Sequence, residues 1–335
     1  MHRILVVAPS WVGDTVLAQP MFRLLHQRHA HLTLDVLAPP WTLPLLSRMP
    51  EIRRGIVAPF GHGELKFGER RRLARELEAA HYDQAIVLPN SWKSALIPLL
   101  AKIPLRTGFR GEMRYVLLND LRTLDKHALP QMAERFAALA LERGAALPRP
   151  LPAPQLSAHA HNAEIIIKKQ NLTEKKPVAV FCPGAEYGPA KRWPAEYFGM
   201  LAKQAAQHGY SVWLIGSPKD ATIGNDIVRA SDGACVNLCG KTALEDAIDL
   251  IGIAALVVTN DSGLMHIAAA LDRPTLALYG SSSPAFTPPL SDKATIVRID
   301  IACSPCFKRE CPLGHFNCMR QMTPEQVWKH VPAAR

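Results

Sequence analysis

Nowhere does an apolar run approach the ~20 residues that a bilayer-spanning helix requires, so no segment is expected to cross a membrane. The stretch Met1-His2-Arg3-Ile4-Leu5-Val6-Val7 lacks the longer apolar region and small-residue cleavage site of a signal peptide, and Asp14 interrupts it early. The expectation is a cytosolic protein. The loop after this first strand is poor in glycine and lacks the G-x-G-x-x-G fingerprint, which argues against a nicotinamide dinucleotide; a Walker lysine is missing as well. No Asp-x-Asp pair occurs, so a metal-bridged nucleotide-sugar site has no obvious ligands. Neither interleaved aromatics nor a recognised helix or sheet module points to nucleic acid.

What is present fits a globular enzyme. Hydrophobic residues make up 48% and charged ones 20%, which excludes general disorder. A chain of 335 residues is long for one core and suits two domains. The net charge of +10 implies an anionic partner: nucleic acid, a phosphorylated small molecule or an anionic membrane surface. Seven cysteines, an odd number in a chain without an export signal, make a disulfide framework unlikely. Cys303, Cys306, Cys311 and Cys318, with His315 among them, are candidate zinc ligands, although the second pair is spaced more widely than in a zinc ribbon. Reduced thiols in a loop are the favoured reading, with a structural metal as the alternative.

Strands and helices alternate at short intervals. Residues 3–7 read as a strand, Val16 to Arg28 as a helix, Leu32–Leu37 as a strand, and Gly55 to Ala58 as a weaker one. A basic segment from Gly61 to Arg72, containing Gly63, leads into a helix that reaches about Ala80. Asp83–Leu88 is a strand, and Pro89-Asn90-Ser91 opens another helix. Pro130 to Arg143-Gly144 reads as a helix with proline at its start and glycine at its stop. The proline-rich run Leu147–Pro154 is a semi-rigid spacer, so we place an amino-terminal domain at 1–150, a linker at 151–157 and a carboxy-terminal domain at 158–335. Beyond it the alternation restarts, with strands at Val178–Phe181, Ser211–Ile215, Val257–Thr259 and Thr275–Leu278. Helices are expected from Pro194 to His208 and from near Asp220, and Thr242-Ala-Leu-Glu245 reads as a capping box. The fold class is α/β: two Rossmann-like domains with parallel sheets whose carboxyl ends face across a cleft.

Three strand-to-helix loops carry the chemistry. In Asn260-Asp261-Ser262-Gly263-Leu-Met-His266, a helix starts at about Ser262, where free backbone N–H groups suit phosphate and Gly263 permits close approach. Helix capping by Asp261 or Ser262 and simple packing of His266 are the plainer readings. Cys182-Pro-Gly184-Ala-Glu186-Tyr-Gly188-Pro-Ala-Lys191-Arg192-Trp193-Pro194 places two cations before a proline-started helix, where they can neutralise a diphosphate. Pro9-Ser10-Trp11-Val12-Gly13-Asp14 puts a carboxylate at a helix start, whose dipole favours the ionised, proton-accepting form; Asp14 as N-cap is the alternative.

These three motifs, with Ser47-Arg-Met-Pro50, Leu88-Pro-Asn-Ser91 and Arg106-Thr-Gly-Phe-Arg-Gly-Glu-Met-Arg-Tyr115, resemble the ADP-heptose:lipopolysaccharide heptosyltransferases of glycosyltransferase family 9 over nearly the whole chain. The resemblance implies a GT-B fold and inverting transfer of heptose from ADP-heptose to the first heptose of a phosphorylated Kdo/heptose lipid A acceptor. It further implies a peripheral position on the cytoplasmic face of the inner membrane, no required cofactor and no nucleic-acid partner. A family member with a different acceptor is the neighbouring alternative.

By the same resemblance Asp14 is the general base and Lys191 a catalytic and phosphate-contacting residue. Gly184, Arg192, Ser262, Gly263 and His266 belong to the donor site, with Asp261 accepting from heptose hydroxyls, Thr242 near adenine and Ser217 near ribose. The acceptor falls to the amino-terminal domain, where Lys66, Arg70, Arg71, Arg72, Arg106, Arg110 and Arg114 are suitable partners for its carboxylates and phosphates. The cysteine-rich tail departs from the nearest relatives in the family.

Overall fold

The computed structural model describes residues 2–61, 64–173 and 176–331; His62 and Gly63 of the basic segment lie outside the described residues. The chain divides into two compact units, Met1–Pro154 and Gln155–Arg335, and the division falls within the proline-rich segment.

The first unit runs β1 (His2–Val7), α1 (Val12–Leu17), α2 (Gln19–Arg28), β2 (Leu32–Ala38), α3 (Leu43–Leu46), β3 (Arg54–Val57), α4 (Phe67–Glu78), β4 (Gln84–Val87), α5 (Trp92–Leu100), β5 (Leu105–Phe109), β6 (Asp120–Arg122) and α6 (Met132–Ala138). Its strands form one parallel sheet in the order β3-β2-β1-β4-β5-β6. The central strands read as unbroken apolar runs because helices cover both faces of such a sheet; Ile4, Leu5 and Val6 are fully buried.

The second unit runs α7 (Ala160–Lys169), β7 (Val178–Cys182), α8 (Ala195–Gln207), β8 (Ser211–Leu214), α9 (Ala221–Ala230), β9 (Cys235–Asn237), α10 (Leu244–Gly252), β10 (Leu256–Asn260), α11 (Gly263–Ala270), β11 (Thr275–Tyr279), β12 (Ala294–Arg298), α12 (Asn317–Arg320) and α13 (Pro324–Trp328). Its sheet, also parallel, has the order β12-β11-β10-β7-β8-β9. Numbered within each unit, both sheets follow the same doubly wound order. The strand order reverses between β1 and β4 in one and between β7 and β10 in the other, and ligands bind at the carboxyl edge of such switch points.

Packing in the second unit centres on Trp193, which is fully buried against Phe198 with ring centroids 4.9 Å apart; its indole nitrogen donates to the Met322 carbonyl at 2.7 Å. That bond ties the tail to α8. The last helix, α13, lies on α8 of its own unit, where Val327 is buried in the core and the Trp328 ring meets that of His208 at a tilt, centroids 4.6 Å apart.

Several elements differ from the sequence reading. The first helix is two helices broken at Ala18, since Pro20 can neither donate to Val16 nor avoid clashing with its carbonyl. The helix expected from Pro130 to Arg143 covers only Met132–Ala138; the carbonyls of Ala138 and Leu141 accept from Arg122 at 2.9 and 2.7 Å and that of Ala140 from Arg28. Thr242 does not cap α10, because the Asp246 carboxylate takes the Ala243 N–H at 3.0 Å.

Candidate active site

At the switch point of the second sheet, the loop after β7 and the turn after β10 are bound together by Asn260, the last residue of β10. Its side chain, fully buried, accepts from the Trp193 N–H at 3.1 Å and donates to the Pro183 carbonyl at 2.7 Å. Both arms of the Pro183–Trp193 loop are thereby fixed to one strand end. The loop then carries Lys191 to Asp261, with Nζ 2.5 Å from Oδ2; the two side chains are 17% and 4% exposed. Tyr187 lies beside this pair, its ring centroid 5.2 Å from Lys191 Nζ, and its hydroxyl donates to the Phe307 carbonyl at 2.9 Å. Gly188 is required here: a Cβ would stand 2.4 Å from the Arg309 carbonyl oxygen.

A second cluster forms around Asp220. Its buried carboxylate accepts from the Ser217 N–H at 2.9 Å and the Ser217 hydroxyl at 2.7 Å, and lies 3.8 Å from the Arg192 guanidinium. A Cβ on Gly184 would come within 2.5 Å of this carboxylate, so the glycine makes room for Asp220 as well as for any ligand. Among the described residues, Arg192 Nε and the hydroxyls of Thr242, Ser281 and Ser282 are buried polar atoms without a hydrogen-bond partner. Such orphans are rare in folded proteins. Arg192, Thr242 and Ser282 follow strands β7, β9 and β11 on the carboxyl edge, where they fit a polar ligand rich in acceptors.

Between the clusters, α11 begins at Gly263, with Ser262 as its N-cap residue. The first-turn amides of an eight-residue helix suit an anion. His266 lies inside that helix, 4% exposed, and burial pushes its pKa down to about 4; Asp261 pulls the value up and Lys191 pushes it further down. The imidazole is therefore neutral at pH 7, able to donate one hydrogen bond and accept another.

The depressed value has a stability consequence. Between about pH 6.5 and 4 the unfolded chain takes up a proton here that the folded chain refuses. Stability from this residue is complete above pH 6.5 and falls by up to about 3 kcal/mol as the pH drops towards 4. Chemical denaturation of wild type and His266→Asn across this range is expected to show a smaller acid-induced loss in the variant; parallel curves would assign the loss to other groups.

Comparison with known proteins agrees with this arrangement. The family model described as glycosyltransferase family 9 (heptosyltransferase) matches residues 70–317. The chain belongs to glycosyltransferase family 9. It is 50% identical to lipopolysaccharide heptosyltransferase 2 of Salmonella typhimurium, over 98% of this chain and 97% of that one. It is 49% identical to lipooligosaccharide heptosyltransferase 2 of Haemophilus influenzae, over 88% of each. The solved structure of Escherichia coli ADP-heptose lps heptosyltransferase II superposes with a TM-score of 0.88 at 47% identity, covering 98% of this chain and 97% of that one. A family 9 structure from Veillonella parvula, at 22% identity, has the same fold with a TM-score of 0.85. The chain is thus a glycosyltransferase, and its two doubly wound units are those of the GT-B class.

Within this family 9 fold, the structure brings Gly184, Lys191, Arg192, Ser217, Asp261, Ser262, Gly263 and His266 to the carboxyl edge of the second sheet, with Thr242 in the loop after β9. Asn260 and Asp220, which organise these residues, were not singled out from sequence. A polar residue closing the apolar run Leu256–Thr259 is the signal that marks Asn260. In the first unit, Asp14 is half-buried on the first turn of α1, just past β1; the residue in the capping position is Trp11.

The acceptor arginines divide. Arg114 is 1% exposed and donates to Phe109 and Pro89 carbonyls and to Asn90 Oδ1, and burial pushes its pKa down to about 10. Arg70 is buried under Phe60 and donates to the Leu65, Lys93 and Glu64 carbonyls. Arg106 stands at the amino end of β5, on the opposite edge from Asp14, and donates to Leu117 and Ile103 carbonyls. All three guanidinium groups are thus engaged by backbone carbonyls of their own unit. Lys66, Arg71, Arg72 and Arg110 are exposed, Lys66 lying 3.0 Å from Glu64 and Arg72 4.0 Å from Glu76.

Among the described residues no three His, Cys, Asp or Glu side chains form a group that could hold a metal ion. All seven cysteines are free thiols. Cys303, Cys306, Cys311 and Cys318 line a cavity of about 20 Å³ together with Ser281 and His315. His315 Nδ1 is taken by the Asn317 N–H at 2.9 Å.

Proposed function

We propose that this family 9 enzyme transfers L-glycero-D-manno-heptose from ADP-heptose to the first heptose of the lipopolysaccharide inner core, with inversion and without a metal. The observation that carries the reading is 50% identity over 98% of the chain to a protein named lipopolysaccharide heptosyltransferase 2. The donor residues support it, since the Lys191–Asp261 pair, the start of α11 and the orphaned donors suit a diphosphate joined to a polyhydroxylated sugar.

In this mechanism the acceptor hydroxyl oxygen attacks the anomeric carbon, and the bond from that carbon to the diphosphate oxygen breaks. The hydroxyl proton goes to the Asp14 carboxylate. Negative charge that develops on the departing ADP is met by Lys191, Arg192 and the first-turn amides of α11. Asp261 holds heptose hydroxyls, Thr242 contacts the adenine and Ser217 the ribose. On the first unit, Lys66, Arg71, Arg72 and Arg110 meet the acceptor's phosphates and Kdo carboxylates. The enzyme works at the inner face of the inner membrane, where its lipid A acceptor resides.

Incubation with ADP-heptose and truncated cores, with mass analysis of the products, tests the reading. One heptosyl unit should be added to a core carrying a single heptose, and none to a core ending in Kdo. Selective extension of the Kdo core, or of a core already carrying two heptoses, would instead assign a different step of the same family.

A further inference from the structure

The turn that follows β5 presents three large apolar side chains to solvent: Met113, Tyr115 and Val116 are 87, 62 and 82% exposed. A single exposed apolar side chain is ordinary, but three within four positions form a patch. The turn is also firmly held. Arg114, between them, points inward to the carbonyls of Phe109 and Pro89, and its own carbonyl accepts from the Leu117 and Leu118 N–H groups at 3.2 Å each. Glu112 accepts from the Trp92 N–H at 3.0 Å, and its amide donates to the Asn90 carbonyl at 3.2 Å. Leu118, 2% exposed, closes the turn in the core. A buried cation thus fixes the backbone while its neighbours project outward.

Exposed cations lie on the elements that adjoin this turn. Exposed Arg110 opens the turn. Through Trp92 the turn meets the start of α5, where the Lys93 carbonyl accepts from Arg70 at the start of α4; Arg71 and Arg72 follow on that helix, both exposed. Three side chains are too few for a stable protein interface, which buries over ~1,000 Å². They are enough, with flanking arginines, for attachment to an interface of lipid headgroups. No described helix is long and apolar enough to cross a membrane, so attachment of this kind stays at the surface.

We propose that Met113, Tyr115 and Val116 form a wedge that enters the headgroup region of an anionic bilayer, drawn to that surface by the positive field of the acceptor-binding cations on the same unit. The proposal deepens the functional reading and rests on the acceptor being lipid-borne. It gives the turn a task separate from sugar recognition: to hold the enzyme at the surface that carries its acceptor.

Co-sedimentation of the full chain with phosphatidylglycerol/phosphatidylethanolamine vesicles and with phosphatidylcholine vesicles tests it. Wild type should partition to the anionic vesicles. Combined Met113→Ser, Tyr115→Ser and Val116→Ser should lower that partition by about tenfold or more. The same variant should keep its thermal unfolding midpoint and, with a deacylated, water-soluble acceptor, turnover within about twofold of wild type. In Val116→Trp, with fluorescence compared against wild type, the added indole should shift its emission to the blue when anionic vesicles are present. Wild type that ignores anionic vesicles, a triple variant that binds them equally, or an unshifted reporter would each overturn the wedge. The vesicle arm reads the wedge independently of catalysis, so failure of wild type to transfer heptose to the soluble acceptor would overturn the functional reading alone.

Discussion

Replacing Asp14 by asparagine is expected to lower turnover by roughly two orders of magnitude or more while leaving ADP-heptose affinity close to wild type. The amide keeps the size and the hydrogen-bonding reach of the carboxylate but cannot accept the proton that the acceptor hydroxyl must lose. Donor affinity should be indifferent, because the residues assigned to ADP-heptose follow β7, β8, β9 and β10 of the second unit, whereas Asp14 follows β1 of the first. Asp14 is on the first turn of α1 with Trp11 in the capping position, so its charge–dipole contact contributes about 0.3–1 kcal/mol, and any loss of folding is read directly by the unfolding midpoint. Steady-state turnover, calorimetric titration with ADP-heptose and thermal unfolding on one preparation separate the three effects. Near-normal turnover would remove Asp14 from the role of base.

How much of this was legible in sequence depends on how local each feature is. The β10–α11 turn was readable because strand, cap and helix signals lie within eleven consecutive residues, and the helix begins at Gly263 with Ser262 at its cap. The two parallel sheets followed from the βα rhythm. Strands at or next to the edges were less visible: β5 contains a glycine, β6 has three residues with charges at both ends, and β12 is largely exposed, so none carries a long apolar run. Pairings across long sequence distances could not be read, even where both residues had been named. Asn260 reaches Pro183 from 77 positions away, and the Lys191–Asp261 pair spans 70. Arginine is ambiguous in sequence for the complementary reason, since the side chain that suits a phosphate suits backbone carbonyls equally well. Only the structure separates Arg114, turned inward, from Arg110, four residues earlier and exposed.

The Lys191–Asp261 pair gives the second large effect, and its geometry changes how Asp261 must be tested. From sequence, Asp261 beside a diphosphate was expected to accept from heptose hydroxyls; in the structure one of its oxygens lies 2.5 Å from Lys191 Nζ. Removing either partner leaves the other nearly buried charge without its counterion, a change of about 3–5 kcal/mol at buried pairs. Lys191→Ala should therefore weaken donor binding and turnover together, by about tenfold or more in each. A loss confined to acceptor affinity would contradict its phosphate assignment. Asp261→Ala alone is ambiguous, because it disturbs Lys191 as well as any sugar contact. A cycle of Lys191→Ala, Asp261→Ala and the double variant, titrated with ADP and with ADP-heptose, resolves this. With Lys191 already gone, loss of the carboxylate should leave ADP affinity unchanged and weaken ADP-heptose by about a further tenfold, the size expected for charge-assisted hydrogen bonds to the sugar. If both ligands instead keep the same relative affinity in that background, Asp261 serves only to position Lys191, and recognition of the heptose has to come from other residues on the carboxyl edge.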